Sequence, residues 1–120
     1  MTTQSFPLWR PGAPQAAPTL TASRDTRTGE WVFPAVADHS PLAPHHVPVA
    51  VTGPGTVYSF TVIHPAPKTG QPPYALGYVD FAGPVRIFGR LLGKDRPAIG
   101  DRYRPEPDDT YGYVFHAILD

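Results

Sequence analysis

The chain contains no cysteine among its 120 residues. This absence excludes disulfide bonds, thiolate zinc sites, iron–sulfur clusters and cysteine nucleophiles. No stretch approaches the ~18 apolar residues that a membrane-spanning helix needs, and the first residues lack the basic start and apolar run of a secretion signal. We therefore expect a soluble protein of the cytoplasm that does not contact membranes.

The chain also has no net charge, because its ten basic and ten acidic residues cancel. A neutral domain has no global field to attract a nucleic acid. Proline, in contrast, accounts for 17 residues, and proline lacks an amide donor and clashes with the preceding helical turn. Hydrophobic residues make up 41% of the chain, which is enough for a core. The composition predicts an all-β protein of short strands and rigid connections.

Three regions differ in pattern. Residues 1–20 are rich in proline and alanine without strand or helix periodicity, which predicts an extended arm. Residues 21–52 contain a turn at Thr28-Gly29, a short strand after it and a second strand at 47–51. Residues 53–120 form the third region and contain most of the strand pattern.

Five strands are predicted in the third region: 56–64, 74–81, 85–91, 101–104 and 111–118. Ala82-Gly83-Pro84 turns the second strand into the third, and a longer connection follows the third strand. This layout is that of an OB-fold barrel. The fold class is therefore all-β, with a five-stranded OB-fold barrel in residues 53–120.

The alternation of side chains predicts which faces the strands bury. In the first strand we expect Tyr58, Phe60 and Val62 on one face. In the third strand, two opposite faces are expected to carry Val85, Ile87 and Leu91 on one side and Arg86, Phe88 and Arg90 on the other. In the last strand the inward residues are expected to be Tyr111, Tyr113 and Phe115.

Four segments carry a family resemblance: "GPGTVYSFTVIH", "PPYALGYVDFAGPVRIFGRLLG", "AIGDRYRPE" and "YGYVFHAI". With them, residues 20–118 resemble the zinc-ribbon/OB-fold proteins catalogued as domain of unknown function thirty-five, which are linked to acyl-CoA metabolism. In that family a rubredoxin-like ribbon with two C-x-x-C pairs precedes the barrel. Gly29 and Phe33-Pro34 match the ribbon, while its cysteine positions fall on Asp25 and Thr28 and near His39 and Leu42. The resemblance implies a degenerate ribbon without zinc in residues 21–52.

Histidines offer two alternatives to that interpretation. His39, His45 and His46 could form a His/Asp zinc site with Asp25 and Asp38 if the loop folds back, but solvated loop histidines are favoured. His64, at the end of the first strand, and His116, in the last, could each act as a general base. Neither is accompanied by a known catalytic motif, so surface histidines are favoured here too.

The resemblance implies an accessory subunit rather than an enzyme. Family members bind thiolase-like, aldolase or hydratase enzymes and help to complete a CoA-thioester site while the partner carries out the reaction. We therefore predict no catalytic residue, metal or bound cofactor, and leave self-association open. Guanidinium groups suit the phosphates of coenzyme A, so the residues predicted to contact a CoA thioester are Arg86, Phe88, Arg90 and Lys94. The residues predicted to bind the partner are Phe6, Trp9, Tyr74 and Tyr78.

Three other interpretations remain open at this point. An OB-fold face with aromatic and arginine side chains could bind single-stranded nucleic acid, although the balancing acids weaken a polyanion site. A plain solvated strand face would explain the same arginines without any ligand. A small enzyme that uses His64 is the third interpretation.

Overall fold

The structure is a computed structural model of the chain that describes residues 8–10, 19–37 and 39–119. These residues contain nine β-strands and two single turns of 3₁₀ helix, and no α-helix is found among them. Within the same ranges no helix is long and apolar enough to cross a membrane. The chain divides into two compact units, residues 1–52 with 82–85 and residues 53–81 with 86–120. The predicted all-β class is confirmed.

The first unit contains an antiparallel sheet built around a central strand. This strand, β2 (Thr19–Asp25), pairs with β1 (Trp9–Arg10), β3 (Trp31–Val32) and β4 (His46–Val51). Sequence reasoning predicts β3 and β4 but misses β2, because its small polar residues look like a loop. Two parts of the predicted arm, residues 9–10 and 19–20, therefore lie in a sheet. Phe6 and residues 11–18 lie outside the described residues.

A tight turn joins β2 to β3 where the ribbon motif begins. Gly29 adopts a φ of 81°, a left-handed conformation that favours glycine, and its N–H donates to the carbonyl of Asp25 at 2.7 Å. The N–H of Asp25 in turn donates to the carbonyl of Glu30 at 2.8 Å. The turn predicted from Thr28-Gly29 is confirmed, and it brings Asp25 to one end of the sheet.

The remaining five strands close a barrel in the order β5-β6-β7-β9-β8. They are β5 (Gly55–Ile63), β6 (Tyr74–Phe81), β7 (Val85–Leu92), β8 (Arg102–Asp108) and β9 (Gly112–Ala117). The barrel closes because β8 pairs with the start of β5 as well as with β9, and β7 runs parallel to β9. The OB-fold predicted from the strand pattern is confirmed.

A β-bulge changes the alternation along β5. Val57 pairs with Val79, but Ser59 pairs with Tyr78, so one extra residue, Tyr58, is accommodated between them. Directly opposed residues share a face of the sheet. Phe60 pairs with Gly77 and therefore lies on the face opposite to that of Ser59 and Tyr78. The prediction that Tyr58, Phe60 and Val62 form one face is wrong because it assumed an unbroken strand.

The barrel core consists of side chains that alternate along the strands as expected from a period of two. Its buried members are Val57, Ala75, Val79, Phe81, Ile87, Leu91, Tyr103, Val114, Phe115 and Ala117. The predicted faces of β7 are confirmed, because Ile87 and Leu91 are buried while Arg86 and Phe88 are exposed. The prediction that Tyr111 faces inward is wrong. Its side chain is 58% exposed, and it lies in the turn before β9.

Candidate binding face of the barrel

Three aromatic side chains are exposed on neighbouring strands of the barrel. Tyr58 of β5 is 52% exposed, Tyr78 of β6 is 44% exposed and Phe88 of β7 is 46% exposed. The rings of Tyr78 and Phe88 lie 5.0 Å apart at an angle of 59°, a favourable tilted arrangement for two aromatic rings. We call Tyr58, Tyr78 and Phe88, with Arg86 beside them, the aromatic face.

Arg86 is fixed on this face by two neighbours. Its Nε and Nη2 donate to the two carboxylate oxygens of Asp80 at 2.6 and 3.0 Å, and its guanidinium lies 3.4 Å from the ring centre of Tyr58. The hydrogen bond to Asp80 raises the pKa of Arg86. Asp80 thus neutralises this cation, and a phosphate that bound Arg86 would have to compete with a carboxylate already in place.

Arg90 lies on the same side of β7 as Arg86, four residues further along the strand. Its environment is different. Its Nη1 donates to the hydroxyl of Tyr111 at 2.8 Å. The guanidinium lies 4.3 Å from the ring centre of Tyr74 and 5.5 Å from that of Tyr111. The sequence analysis predicts that Tyr74 contacts the partner and that Arg90 contacts the CoA thioester. In the structure the two side chains contact each other.

A pocket of about 340 Å³ opens beside Arg90. It is lined by Tyr74, Leu76, Phe88, Gly89, Arg90, Tyr111 and Tyr113. The Tyr113 hydroxyl donates to the carbonyl of Phe88, and burial raises the pKa of this phenol. Of the lining residues only Arg90 carries a charge, so this is an aromatic pocket with a single cation. We call it the Arg90 pocket.

Lys94, the fourth residue predicted to contact CoA, lies beyond the end of β7. Its Nζ is 2.6 Å from a carboxylate oxygen of Asp101, which also accepts the backbone N–H of Ala98 at 2.9 Å. The Lys94 hydrogen bond lowers the pKa of Asp101, and the Ala98 bond adds to this effect. Lys94 and Asp101 therefore fasten the two ends of the loop between β7 and β8.

Comparison with known proteins supports this description of the barrel. Residues 48–106 match the family model for the C-terminal OB-fold domain of ChsH2. The barrel is therefore similar to the OB-fold domain of DUF35 proteins. A DUF35 domain-containing scaffold protein of Methanocaldococcus jannaschii is 31% identical over 84 residues, with 58% of this chain and 60% of the relative covered. The chain thus spans less than two thirds of that relative's length.

A solved structure shows the same fold. The chain is similar to one from an Ltp2-ChsH2(DUF35) aldolase, with a TM-score of 0.64 and 22% sequence identity. The similarity covers 84% of this chain and 86% of that chain, so it extends beyond the barrel into the sheet of the first unit. At this level of identity the comparison establishes the fold.

The ribbon positions of the DUF35 resemblance can now be located. The carboxylate of Asp25 accepts the backbone N–H of Arg27 at 2.8 Å and lies 3.2 Å from the Nη2 of the same residue. These hydrogen bonds hold the pKa of Asp25 at about 2. Thr28 instead uses its hydroxyl oxygen to accept the N–H of Glu30 at 3.2 Å. The side chain of Leu42 has no atom that can coordinate a metal. Asp25, Thr28 and Leu42 therefore do not fit a zinc ion.

The loop histidines do not converge on one point. The Nδ1 of His46 lies 2.8 Å from the carbonyl oxygen of Leu42 and its Nε2 lies 3.9 Å from Asp25. His45 and His39 are exposed. No group of three His, Asp or Glu side chains with metal-binding geometry is found in the part of the chain that the structure describes. Asp38 lies outside the described residues.

The two histidines considered as general bases have no catalytic neighbours among the described residues. His64 is exposed after the end of β5. His116 is half-buried in β9, where its Nδ1 lies 3.2 Å from the carbonyl oxygen of Ala117 and its ring covers Gly93. A general base needs a reacting group within hydrogen-bond reach, and no side chain of the described residues hydrogen-bonds to either ring.

Sequence reasoning missed four residues of the Arg90 pocket: Leu76, Gly89, Tyr111 and Tyr113. Tyr111 follows a turn in which Asp108 accepts the N–H groups of Thr110 and Tyr111 at 3.0 and 2.8 Å. An aspartate whose side chain can accept backbone N–H groups of the residues that follow it is a turn signal. It indicates that the ring lies at the rim of the barrel rather than in its core.

Proposed function

We propose that the chain is a non-catalytic accessory subunit that binds an enzyme of acyl-CoA metabolism through its barrel. The partner is of the aldolase, thiolase-like or hydratase type and carries out the reaction. The observation that carries this proposal is the aromatic face, which leaves three large rings exposed on an OB-fold similar to that of DUF35 proteins. The description of one relative as a scaffold and of one structural neighbour as part of an aldolase gives further support.

The chemistry of the aromatic face suits a protein interface. Tyrosine, phenylalanine and arginine are enriched at interfaces and dominate their binding energy. Arg86 is already held by Asp80 and Tyr58, so little side-chain entropy is lost when a partner binds. Two prearranged rings, Tyr78 and Phe88, would supply the apolar centre of the interface.

Trp9 is proposed as a second contact with the partner. It lies in β1, where it pairs with Leu20, and it is half-buried. Phe6, which was predicted to act with it, lies outside the described residues. Tryptophan is the residue type most often found at the energetic centre of an interface.

A CoA thioester remains part of the proposal. Arg86 and Lys94 are the cations proposed for its phosphates, and Phe88 and Arg90 are proposed to face its acyl end. Because Asp80 and Asp101 already pair with the two phosphate-binding cations, we expect CoA to bind to the complex with the partner more tightly than to the isolated chain.

Capture from the source cells tests the proposed function. The tagged full chain should retain an acyl-CoA enzyme that mass spectrometry identifies, and the double variant Tyr78→Ala/Phe88→Ala should lose it. Ile99→Ala is the matched control, because Ile99 is also a large exposed apolar residue, at 72%, but lies in the loop between β7 and β8 and is not part of the aromatic face.

Two results would contradict the proposal. Recovery of nucleic acid alone, with binding that falls steeply as salt rises, would favour the single-stranded nucleic-acid module. Intrinsic thioesterase activity of the isolated chain, without any captured enzyme, would show that the chain is itself catalytic.

A further inference from the structure

Arg90 is half-buried, and no carboxylate of the described residues pairs with it. Four cations form ion pairs with acidic side chains: Arg27 with Asp25, Arg86 with Asp80, Lys94 with Asp101 and Arg104 with Glu106. Among residues 8–10, 19–37 and 39–119, Arg90 pairs with none. Its Nη1 donates to a neutral phenol, Tyr111, and its buried Nε has no hydrogen-bond partner in the described structure. The half-buried charge of Arg90 is therefore not neutralised by any residue that the structure describes.

The aromatic neighbours compensate for this charge only in part. The ring of Tyr74 lies 4.3 Å from the guanidinium and that of Tyr111 lies 5.5 Å from it. Cation–π contacts of this kind stabilise the charge, but they provide no acceptor for the buried Nε, and a buried donor without a partner is destabilising. The rings hold the guanidinium in position, and an anion in the pocket would complete its environment.

The Arg90 pocket limits the size and shape of such an anion. Its volume of about 340 Å³ lies at the lower end of small-molecule sites. A second space of about 320 Å³, lined by Gln71 and Pro72, continues past Tyr74, Arg90 and Tyr111. The walls of the first space are mostly ring faces and edges, which favour a flat apolar body. The two spaces therefore suit a small molecule with one anionic end and a flat apolar end.

We propose that the Arg90 pocket binds a small carboxylic acid with a flat apolar body, such as an aryl carboxylate. The carboxylate pairs with the guanidinium, which keeps donors on Nη1 and Nη2 in addition to the bond to Tyr111. The flat body lies against Phe88 and Tyr74. A carboxylate is favoured over a phosphate because its single negative charge matches the single cation of the pocket, and guanidinium and carboxylate groups have matching planar geometry.

The proposal concerns the isolated chain and depends neither on a partner enzyme nor on CoA. Its test therefore fails or succeeds separately from the capture experiment. NMR titration of the full chain with benzoate should shift the Gly89 amide and the ring signals of Tyr74 and Tyr111. Benzamide has the same shape without the charge. It should bind at least about tenfold more weakly, because a neutral amide cannot form hydrogen bonds with the guanidinium in which both groups are charged.

Variants locate the effect on Arg90. Arg90→Gln should weaken benzoate binding about tenfold or more, whereas Arg86→Gln, on the same face of β7 but paired with Asp80, should leave it within about twofold. Tyr111→Phe removes the hydroxyl that accepts from Nη1 of Arg90. Because Tyr111 is 58% exposed, the change should leave the melting curve similar and should weaken benzoate binding several-fold.

Four results would overturn the proposal. They are equal affinity for benzoate and benzamide, unchanged affinity in Arg90→Gln, tighter binding of phenyl phosphate than of benzoate, and the absence of any shift at the pocket up to about 20 mM benzoate.

Discussion

The two units of the chain treat their polar and aromatic groups differently. In the sheet of the first unit, the carboxylate of Asp25 is satisfied by Arg27 and lies near His46. In the barrel, four aromatic side chains of the described residues are exposed, and the half-buried Arg90 donates to a phenol rather than to a carboxylate. In the sheet the carboxylate of Asp25 is thus already paired, while the barrel has exposed rings and a cation without a carboxylate partner among the described residues. This contrast is the reason for proposing the barrel as the main binding unit.

The barrel also separates rings that support the fold from rings that are exposed. Phe115 is completely buried and contacts Phe81 and Tyr113 at ring distances of 5.7 and 5.5 Å. Phe115→Ala should therefore reduce the free energy of unfolding by about 3–5 kcal/mol. Phe88→Ala, in the same barrel, removes a ring that is 46% exposed and should cost less than about 1 kcal/mol.

Denaturant unfolding of both phenylalanine variants measures this separation. Equal losses of stability would show that Phe88 supports the fold as much as Phe115 does. The distinction between core and exposed rings would then be wrong.

One glycine of the barrel and one of the sheet differ in the space that a side chain would have. A side chain at Gly77 would place its Cβ 2.5 Å from the carbonyl oxygen of Ser59 and 2.8 Å from Leu91, so Gly77→Ala should cost about 1–3 kcal/mol. Gly29 of the sheet needs its φ of 81° but has open space around it. Asparagine tolerates that conformation, so Gly29→Asn should change the stability by less than about 1 kcal/mol. A larger loss in Gly29→Asn than in Gly77→Ala would contradict this comparison.

The smallest expected effect concerns the acid stability of the sheet. The hydrogen bonds of Arg27 lower the pKa of Asp25 from 3.8 to about 2. A carboxylate with a lowered pKa in the folded state stabilises the fold above its unfolded pKa, and this contribution is lost as pH falls through the folded pKa. The contribution of Asp25 is therefore present above about pH 4 and lost towards pH 2.

Asp25→Asn tests this contribution. The variant should be less stable than the natural chain near pH 6, and the difference between their free energies of unfolding should shrink between pH 4 and pH 2. Asp109→Asn, at an exposed position in the turn before β9, is the control and should show no such convergence. Parallel curves for Asp25→Asn and the natural chain would contradict the proposed role of the ion pair.

Much of the barrel could be predicted from the sequence, because its strands are rich in β-branched and aromatic residues. β6 has the predicted bounds, and β7 differs by one residue. The fourth strand was predicted too short at 101–104, because Pro105 and Pro107 suggested an end. β8 in fact continues to Asp108, since it pairs with β5 only near its start and then has one open edge, where proline is tolerated.

The Arg90 pocket could not be assembled from the sequence. It depends on the parallel pairing of β7 with β9, where Leu91 lies opposite Phe115. Pairings between distant segments leave no local signal in the pattern of either strand. Tyr74, Phe88 and Arg90 were each recognised as candidate binding residues, but their meeting with Tyr111 and Tyr113 follows from the fold.

The affinity for the captured enzyme tests the central claim most directly. With the purified partner, the double variant Tyr78→Ala/Phe88→Ala should raise the dissociation constant by about thirtyfold or more, which corresponds to at least ~2 kcal/mol. Ile99→Ala should leave it within about twofold, and all three proteins should show similar melting curves. A double variant that binds as tightly as the natural chain would contradict the claim that the aromatic face of the barrel binds the partner.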